Sequence, residues 1–224
     1  MALVYGVAAL GRPTFDVPFA EEKMNRAFAA LDAAGIQTVG PRELLFDAEA
    51  ARNAMAEIKA SGHIDALLVL QITFTDASMT VELAAEVDVP LAIWAVPEPR
   101  IGGRLRLNAL CGLNLAVHAL QKVGVAANWL YADPDRQGLA DDLLKLARPT
   151  TLAPSCASTQ EVDPDAAAGQ VLDALRGIKI NVLGQHPDGF DTCAYDDAVL
   201  AGLGGVSVER TSLDEVFDRA RAAS

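Results

Sequence analysis

Polar side chains suited to binding a small molecule occur at three places in this sequence, and the first is an arginine. Arg12 stands in "LGRPTFD", directly after the apolar run "ALVYGVAA". Pro13 favours an extended conformation at Arg12, and a guanidinium fork with five N–H donors suits vicinal hydroxyls, carboxylates or phosphates. Arg12 is therefore a candidate substrate-binding residue, with a surface ion pair to Asp16 as the alternative.

The second place is "LQITFTDASM", where an apolar run gives way to polar residues. Gln71 and Phe74 are the candidates here for the wall of a binding pocket. Asp76 and Ser78 are more simply interpreted as caps of the helix that follows, since both residue types favour that position.

The third place is "CGLNLAVHAL", which predicts a helix. Asn114 and His118 are four residues apart and therefore neighbours on the helix surface. They lie on a stripe separate from its apolar side, which is predicted to contain Leu107, Leu110, Leu113, Val117 and Leu120. A ligand contact by this pair is one interpretation, and a histidine with a purely structural role is the other.

Other patterns argue against several chemistries. "GQHPDGFDTC" contains four residues of metal-binding type, but their spacing matches no closed zinc or calcium loop, which favours an ordinary turn. The sequence has no G-x-G-x-x-G phosphate loop and no nucleophile elbow. Its three cysteines are widely spaced and predict neither a disulfide framework nor a zinc site; they are Cys111, Cys156 and Cys193.

The elements that must position these residues form an α/β pattern. Short apolar runs alternate with amphipathic stretches over residues 1–147, which predicts a doubly wound, flavodoxin/Rossmann-like parallel sheet. The predicted strands end in loops at residues 9–17, 71–79 and 96–106. Ligands of open parallel sheets bind at the carboxyl ends of the strands, so these loops are where a site is expected.

The remainder of the chain predicts a second, smaller part. Residues 148–164 are rich in proline and small polar residues, which is typical of a linker. Residues 165–224 predict the start of a second βα domain with only two strands. Such a unit is too small to bury a parallel sheet on both faces, so it is expected to be incomplete.

Charge and hydropathy limit the partners. The 224 residues carry a formal net charge of −12, which disfavours nucleic acid and anionic membrane surfaces. The N-terminal apolar run is too short for a signal peptide or a membrane span, so a cytoplasmic protein is expected.

Several motifs, in this order along the chain, resemble the L-fucose isomerase and L-arabinose isomerase superfamily. "RPTFD" resembles the "RPT-x-D" segment near the start of L-fucose isomerases, and "LLVLQITFTDASM" resembles the end of their third strand. "CGLNLAVHALQKVG" resembles their "NLNQ-x-AHG" helix. "GQHPDGFDTCAYD" and "LGGVSVERTSLDEVF" resemble the opening of their second domain.

The resemblance implies an aldose–ketose isomerase that moves a proton between C1 and C2 through an ene-diol. A divalent ion, usually Mn²⁺, polarises the sugar oxygens in that family while a carboxylate transfers the proton. First-domain residues of one subunit hold sugar hydroxyls in the neighbouring active site, which would be the role of Arg12. His118 corresponds to a sugar-contacting histidine, whereas Leu115 stands where the family has glutamine.

The family's metal ligands correspond to positions beyond residue 224. The sequence therefore predicts that this chain contributes hydroxyl contacts and oligomer contacts to a sugar isomerase and does not itself hold the metal. A fragment, one chain of a split enzyme and a shortened relative all fit this pattern. The expected partners are a sugar or polyol and either further copies or a complementary catalytic chain. The alternative function is a non-catalytic sugar-binding or regulatory module.

Overall fold

The chain divides into two compact units. The computed structural model describes residues 3–99, 102–151, 164–186, 189–190, 193–202 and 204–223. Unit 1 comprises Met1–Ala153 and unit 2 comprises Pro154–Ser224. The predicted linker at 148–164 spans this division, and most of it lies outside the described residues.

A parallel sheet forms the centre of unit 1. Its strands are β1 (Val4–Leu10), β2 (Gln37–Val39), β3 (Leu44–Leu45), β4 (Ala66–Gln71), β5 (Leu91–Ala95) and β6 (Ala127–Tyr131). The strand order is β2-β1-β4-β5-β6, and the short β3 pairs with the end of β1. All of these pairings are parallel, so the predicted doubly wound fold is confirmed.

Helices cover both faces of this sheet. They are α1 (Val17–Ala33), α2 (Ala48–Ala60), α3 (Ser78–Ala85), α4 (Ala109–Lys122) and α5 (Leu139–Leu146). Contacts join α1 to α5, while α2, α3 and α4 form a second layer. β4 and β5 are buried along their whole length, as their continuously apolar sequences require of strands covered on both sides.

Local signals set the beginning of α1 and anchor the core. The Asp16 carboxylate caps α1 by accepting a hydrogen bond of 3.2 Å from the backbone N–H of Phe19.

Two buried aromatic side chains each donate a hydrogen bond to a backbone carbonyl that lies far along the chain. The Tyr5 hydroxyl donates to the Leu143 carbonyl at 2.8 Å, and the Trp94 indole donates to the Ala132 carbonyl at 2.9 Å.

The described part of unit 2 contains a two-stranded parallel sheet with three helices. Its elements are α6 (Pro164–Leu175), β7 (Lys179–Leu183), α7 (Asp197–Gly202), β8 (Ser207–Thr211) and α8 (Leu213–Ala222). The Ser212 hydroxyl caps α8 by accepting a hydrogen bond of 3.2 Å from the backbone N–H of Glu215. No helix in the described part of the chain is long and apolar enough to span a membrane.

Candidate functional site

The loops that follow β1, β4 and β5 meet at the carboxyl edge of the sheet in unit 1. Backbone hydrogen bonds join them to one another. The Phe74 N–H donates to the Leu107 carbonyl at 2.7 Å, and the Asp16 N–H donates to the Arg106 carbonyl at 3.1 Å. Residues far apart in sequence are thereby held at one surface, where ligands of parallel sheets bind.

Arg12 is fixed at this edge by both its backbone and its side chain. Its N–H donates to the Thr73 hydroxyl at 2.8 Å, and its Nη2 donates to the Asp76 carboxylate at 2.8 Å. The guanidinium carbon lies 5.7 Å from the centre of the Phe74 ring. The side chain still has 37% of its surface exposed, so part of the guanidinium fork faces solvent. Its ion-pair partner is Asp76 and not Asp16, the alternative considered from sequence.

Asp16 pairs instead with a second arginine of the edge. The Arg106 Nε donates to its carboxylate at 2.8 Å, while the guanidinium lies 3.7 Å from the centre of the Phe19 ring. The hydrogen bond from Arg106 is the main cause that lowers the pKa of Asp16, and the bond from the Phe19 N–H lowers it further. Asp16 is therefore a carboxylate at neutral pH and binds the 104–106 segment to the start of α1.

These two loops enclose a cleft of about 260 Å³, which we call the arginine cleft. Phe15 lines it, and the Phe15 and Phe74 ring centres are 6.2 Å apart. The arginine cleft is thus adjacent to the Arg12 surface across these two rings. Its lining residues are Thr14, Phe15, Asp16, Arg104, Leu105 and Arg106.

Glu98 holds the loop that leads into α4. Its carboxylate accepts hydrogen bonds from the backbone N–H groups of three consecutive residues, at 2.5, 3.0 and 2.9 Å. These residues are Arg106, Leu107 and Asn108. A carboxylate that accepts several backbone N–H bonds is a strong anchor, so the segment carrying Arg106 is positioned before any ligand arrives.

Gln71 supports this edge from below and is completely buried. Its Nε2 donates to the Thr73 carbonyl at 2.7 Å and to the Thr75 hydroxyl at 3.0 Å. Its Oε1 is buried without a hydrogen-bond partner among the described residues. Gln71 therefore shapes the 72–76 loop, and Phe74 and Arg12 present the accessible surface.

Asn114 and His118 lie on α4, one turn apart as predicted. Asn114 is exposed and His118 is half-buried, and neither side chain makes a hydrogen bond or ion pair with another described residue. α4 begins at the carboxyl edge and rises about 1.5 Å per residue. From Ala109, Asn114 is about 8 Å and His118 about 14 Å along the helix. The structure brings Arg12, Gln71 and Phe74 together and puts these two residues further from the edge.

The other sequence candidates have mixed outcomes. Leu110, predicted on the apolar side of α4, is 43% exposed. Asp76 does not cap α3 in the standard way: the N-cap position is Ala77, while Asp76 accepts from the Ser78 N–H at 3.1 Å and pairs with Arg12. In the loop after β7, Asp188 and Asp191 lie outside the described residues, as does Cys156.

The implied metal has no fitting ligand set in the part of the chain that the structure describes. No group of three or more histidine, cysteine, aspartate or glutamate side chains is arranged there to hold an ion. The acidic residues of the edge are already engaged, Asp76 and Asp16 with arginines and Glu98 with backbone N–H groups. We therefore assign no step to a metal bound by these residues.

Sequence reasoning missed Glu98, Arg104 and Arg106. Their position in the sequence could have identified them, because the predicted loop at 96–106 follows a strand of a parallel sheet and contains these charged residues. The pairing of Arg106 with Asp16, and of Glu98 with backbone N–H groups, depends on the folded course of the loop, which no local pattern specifies.

Comparison with known proteins identifies relatives along most of the chain. Residues 6–153 match the family model of the fucose/sulfoquinovose isomerase N-terminal domain. A sulfoquinovose isomerase from Priestia aryabhattai is 28% identical over 208 residues, which are 93% of this chain and 42% of that protein. One from Clostridium sp. (strain MSTE9) is 26% identical over 221 residues, or 96% of this chain and 44% of that protein. The chain thus spans less than half the length of these relatives.

Proposed function

We propose that this chain, which belongs to the fucose/sulfoquinovose isomerase family, supplies the first α/β domain of an aldose–ketose sugar isomerase. The observation that carries the proposal is the partly exposed Arg12 guanidinium, held at the carboxyl edge by Asp76 and backed by Phe74. The relatives named sulfoquinovose isomerases support a sugar as the class of substrate.

The contribution of this surface is to bind and orient the sugar. The free N–H groups of Arg12 donate to two neighbouring hydroxyls, because the guanidinium fork matches their spacing. Phe74 offers an apolar face to sugar C–H groups next to those donors. Each hydrogen bond to the charged group contributes about 1.5–3 kcal/mol. Proton transfer and the divalent ion, with Mn²⁺ the family's usual choice, belong in this proposal to residues outside the described part.

The proposal includes contacts between subunits. An arm of the first domain that reaches a neighbouring active site requires an exposed ligand-binding residue on a rigid loop, and Arg12 has this character. Gln71 is a positioning residue in this scheme, since it is buried and holds Thr73 and Thr75. Asn114 and His118 remain proposed contacts, with less geometric support because they lie further along α4.

The test is a titration of the isotope-labelled chain with a neutral aldose, in which the backbone amide NMR shifts are measured at each sugar concentration. We expect a dissociation constant on the order of millimolar, since hydroxyl contacts in water are individually weak. Arg12→Ala should weaken binding about tenfold, as the loss of one charged hydrogen-bonding group implies. His118→Ala should have a smaller effect.

A matched control comes from Arg42, which also pairs with a carboxylate, Asp32, and lies 4.8 Å from the ring centre of Phe28. Arg42→Ala should leave the sugar affinity unchanged. Equal affinities for Arg12→Ala and Arg42→Ala would contradict the role assigned to Arg12.

A further inference from the structure

We propose that the open edge of β6 pairs with the same edge of a second copy of this chain, in antiparallel register about a two-fold axis at Trp129. The two central sheets then continue into one another. This surface is the side of the sheet, and its role is independent of the sugar-binding edge proposed above.

β6 has a row of backbone groups that face away from the sheet. It is the last strand in the sheet order, and β5 is its one strand partner among the described residues. The Ala132 N–H donates to the Ala95 carbonyl of β5 at 3.2 Å. Because backbone groups alternate between the two sides of a strand, those of Ala127, Trp129 and Tyr131 point outward.

This edge lacks the features that usually keep strand edges from pairing. Proteins protect such edges with charged residues, proline or very short strands. β6 has the sequence "ANWLY", with no charge and no proline. At the opposite side of the sheet β2 has only three residues, and Arg42 beside it binds both Asp32 and Thr38. Of these two edges, β6 is therefore the one suited to receive another strand.

Trp129 gives the β6 edge an apolar anchor. It is the central residue of β6 and is 59% exposed. With Val117 and Leu120 of α4 it lines a groove of about 280 Å³, and none of the ten residues that line this groove is charged. Two copies that each carry a net charge of −12 repel one another in general, so a neutral surface favours their contact.

The symmetry of the row identifies the occupant as a second copy. With Trp129 opposite Trp129 of the second copy, Ala127 stands opposite Tyr131 and Tyr131 opposite Ala127. Each of these pairs exchanges two N–H···O bonds, which gives about six across the interface. Opposite residues share one face of the sheet, so the two tryptophans meet at the centre and each tyrosine faces a small alanine.

β6 is held in place before a second copy arrives. Its full length pairs with β5, from Ala127 to Tyr131. On the face away from the groove, the Asn128 Nδ2 donates to the Leu146 carbonyl at 2.9 Å and to the Arg148 carbonyl at 2.7 Å. A strand fixed in this way loses little conformational entropy on pairing.

The experiment is amide hydrogen exchange of the whole chain, measured residue by residue by NMR at micromolar and at millimolar concentration. We expect the N–H groups of Ala127, Trp129 and Tyr131 to exchange at least about tenfold more slowly at the higher concentration. Those of Asn128 and Leu130 should be protected at both concentrations, because they are directed toward β5.

Trp129→Lys should remove the concentration dependence, since it replaces the anchor with an edge charge. Continued protection of Asn128 and Leu130 would show that this variant is folded. The matched control is Phe46→Ala, at a 37% exposed aromatic residue that follows β3 on the opposite side of the sheet. It should keep the concentration dependence of the native chain.

Three results would overturn this assignment. Fast exchange of the three outward amides at both concentrations would mean that the edge stays open. Slow exchange at both would mean that another segment of the same chain covers it. An unchanged concentration dependence in Trp129→Lys would mean that Trp129 does not anchor the pairing. Association through other surfaces would leave these three amides fast, so it is distinguished from pairing at β6.

Discussion

At the scale of single residues, the carboxyl edge depends on arginine–carboxylate pairs that connect different loops. Asp16 caps α1 through the Phe19 N–H and also binds Arg106, ninety positions further along the chain. A single carboxylate thus fixes the start of a helix and one wall of the arginine cleft. Protonation of Asp16 would weaken both interactions at once.

This double role predicts a defined pH dependence. The folded pKa of Asp16 is lowered, so its interactions stabilise the fold fully above the ordinary aspartate value of about 3.9 and are lost as the pH falls through the folded pKa. A carbon NMR titration of the Asp16 carboxyl should give a midpoint below 3.9 in the native chain and a higher midpoint in Arg106→Gln.

The control for this titration is Arg42→Gln, which removes the partner of Asp32 and should leave the Asp16 midpoint unchanged. An identical midpoint in the native chain and in Arg106→Gln would show that Arg106 does not interact with Asp16 in solution.

At the scale of elements, the close packing of α4 on the end of β4 sets the position of the 72–76 loop. A Cβ atom at Gly112 would lie 2.8 Å from the Gln71 Nε2 and 3.0 Å from its amide carbon. Gln71 cannot move aside cheaply, because it is buried and its Nε2 makes two hydrogen bonds. Glycine at this position therefore lets the helix approach the strand.

We expect Gly112→Ala to destabilise unit 1 by about 1–3 kcal/mol, the range typical of overpacking in a buried contact. Urea unfolding followed by tryptophan fluorescence would measure this change, since Trp94 is buried in the same core. Gly169→Ala in α6 is the matched helical control: outside its own helix turn, no atom of the described residues lies within 4 Å of the new Cβ, so it should not destabilise. A Gly112→Ala variant as stable as the native chain would contradict the close packing.

The sequence predicts these elements well and their mutual contacts less well. Continuous apolar runs identify β1, β4 and β5, and Asp16 and Ser212 mark the starts of α1 and α8. The sequence does not predict β3, because a strand of two residues is too short to show an alternating apolar pattern. Only its pairing with β1 defines it as a strand. Arg12, Gln71 and Phe74 could be assigned to one edge because each lies at or just after the carboxyl end of a strand of the parallel sheet. The partners Asp76, Glu98 and Arg106 depend on loop conformation.

At the scale of the whole molecule, unit 2 has little apolar core of its own. Among its described residues Val206 is the buried apolar side chain, whereas large apolar residues on β7, α8 and the turn before β7 are exposed. Their exposed fractions range from 40% to 55%; they are Ile178, Ile180, Leu183, Leu213 and Phe217. Exposed apolar surface of this kind favours association.

We therefore expect the chain to self-associate through this exposed apolar surface. Light scattering with size-exclusion chromatography at micromolar concentration should give a mass above the 23.5 kDa of one chain. Leu183→Lys with Phe217→Glu should lower that mass, while Leu144→Lys, at a 46% exposed leucine of α5, should not. A clean monomer for the native chain would contradict this expectation.

The central claim is that the carboxyl edge of unit 1 binds the sugar. The most direct test is to titrate the chain with an aldose to saturation and to map which backbone amides change their NMR shifts. We predict changes at Arg12, Phe15, Phe74 and Arg106, the residues around the Arg12 surface and the arginine cleft. A competing cavity of about 280 Å³ lies at the other end of the sheet, between α4 and the start of β6. Shift changes confined to the residues of that cavity, with none at the carboxyl edge, would contradict the claim.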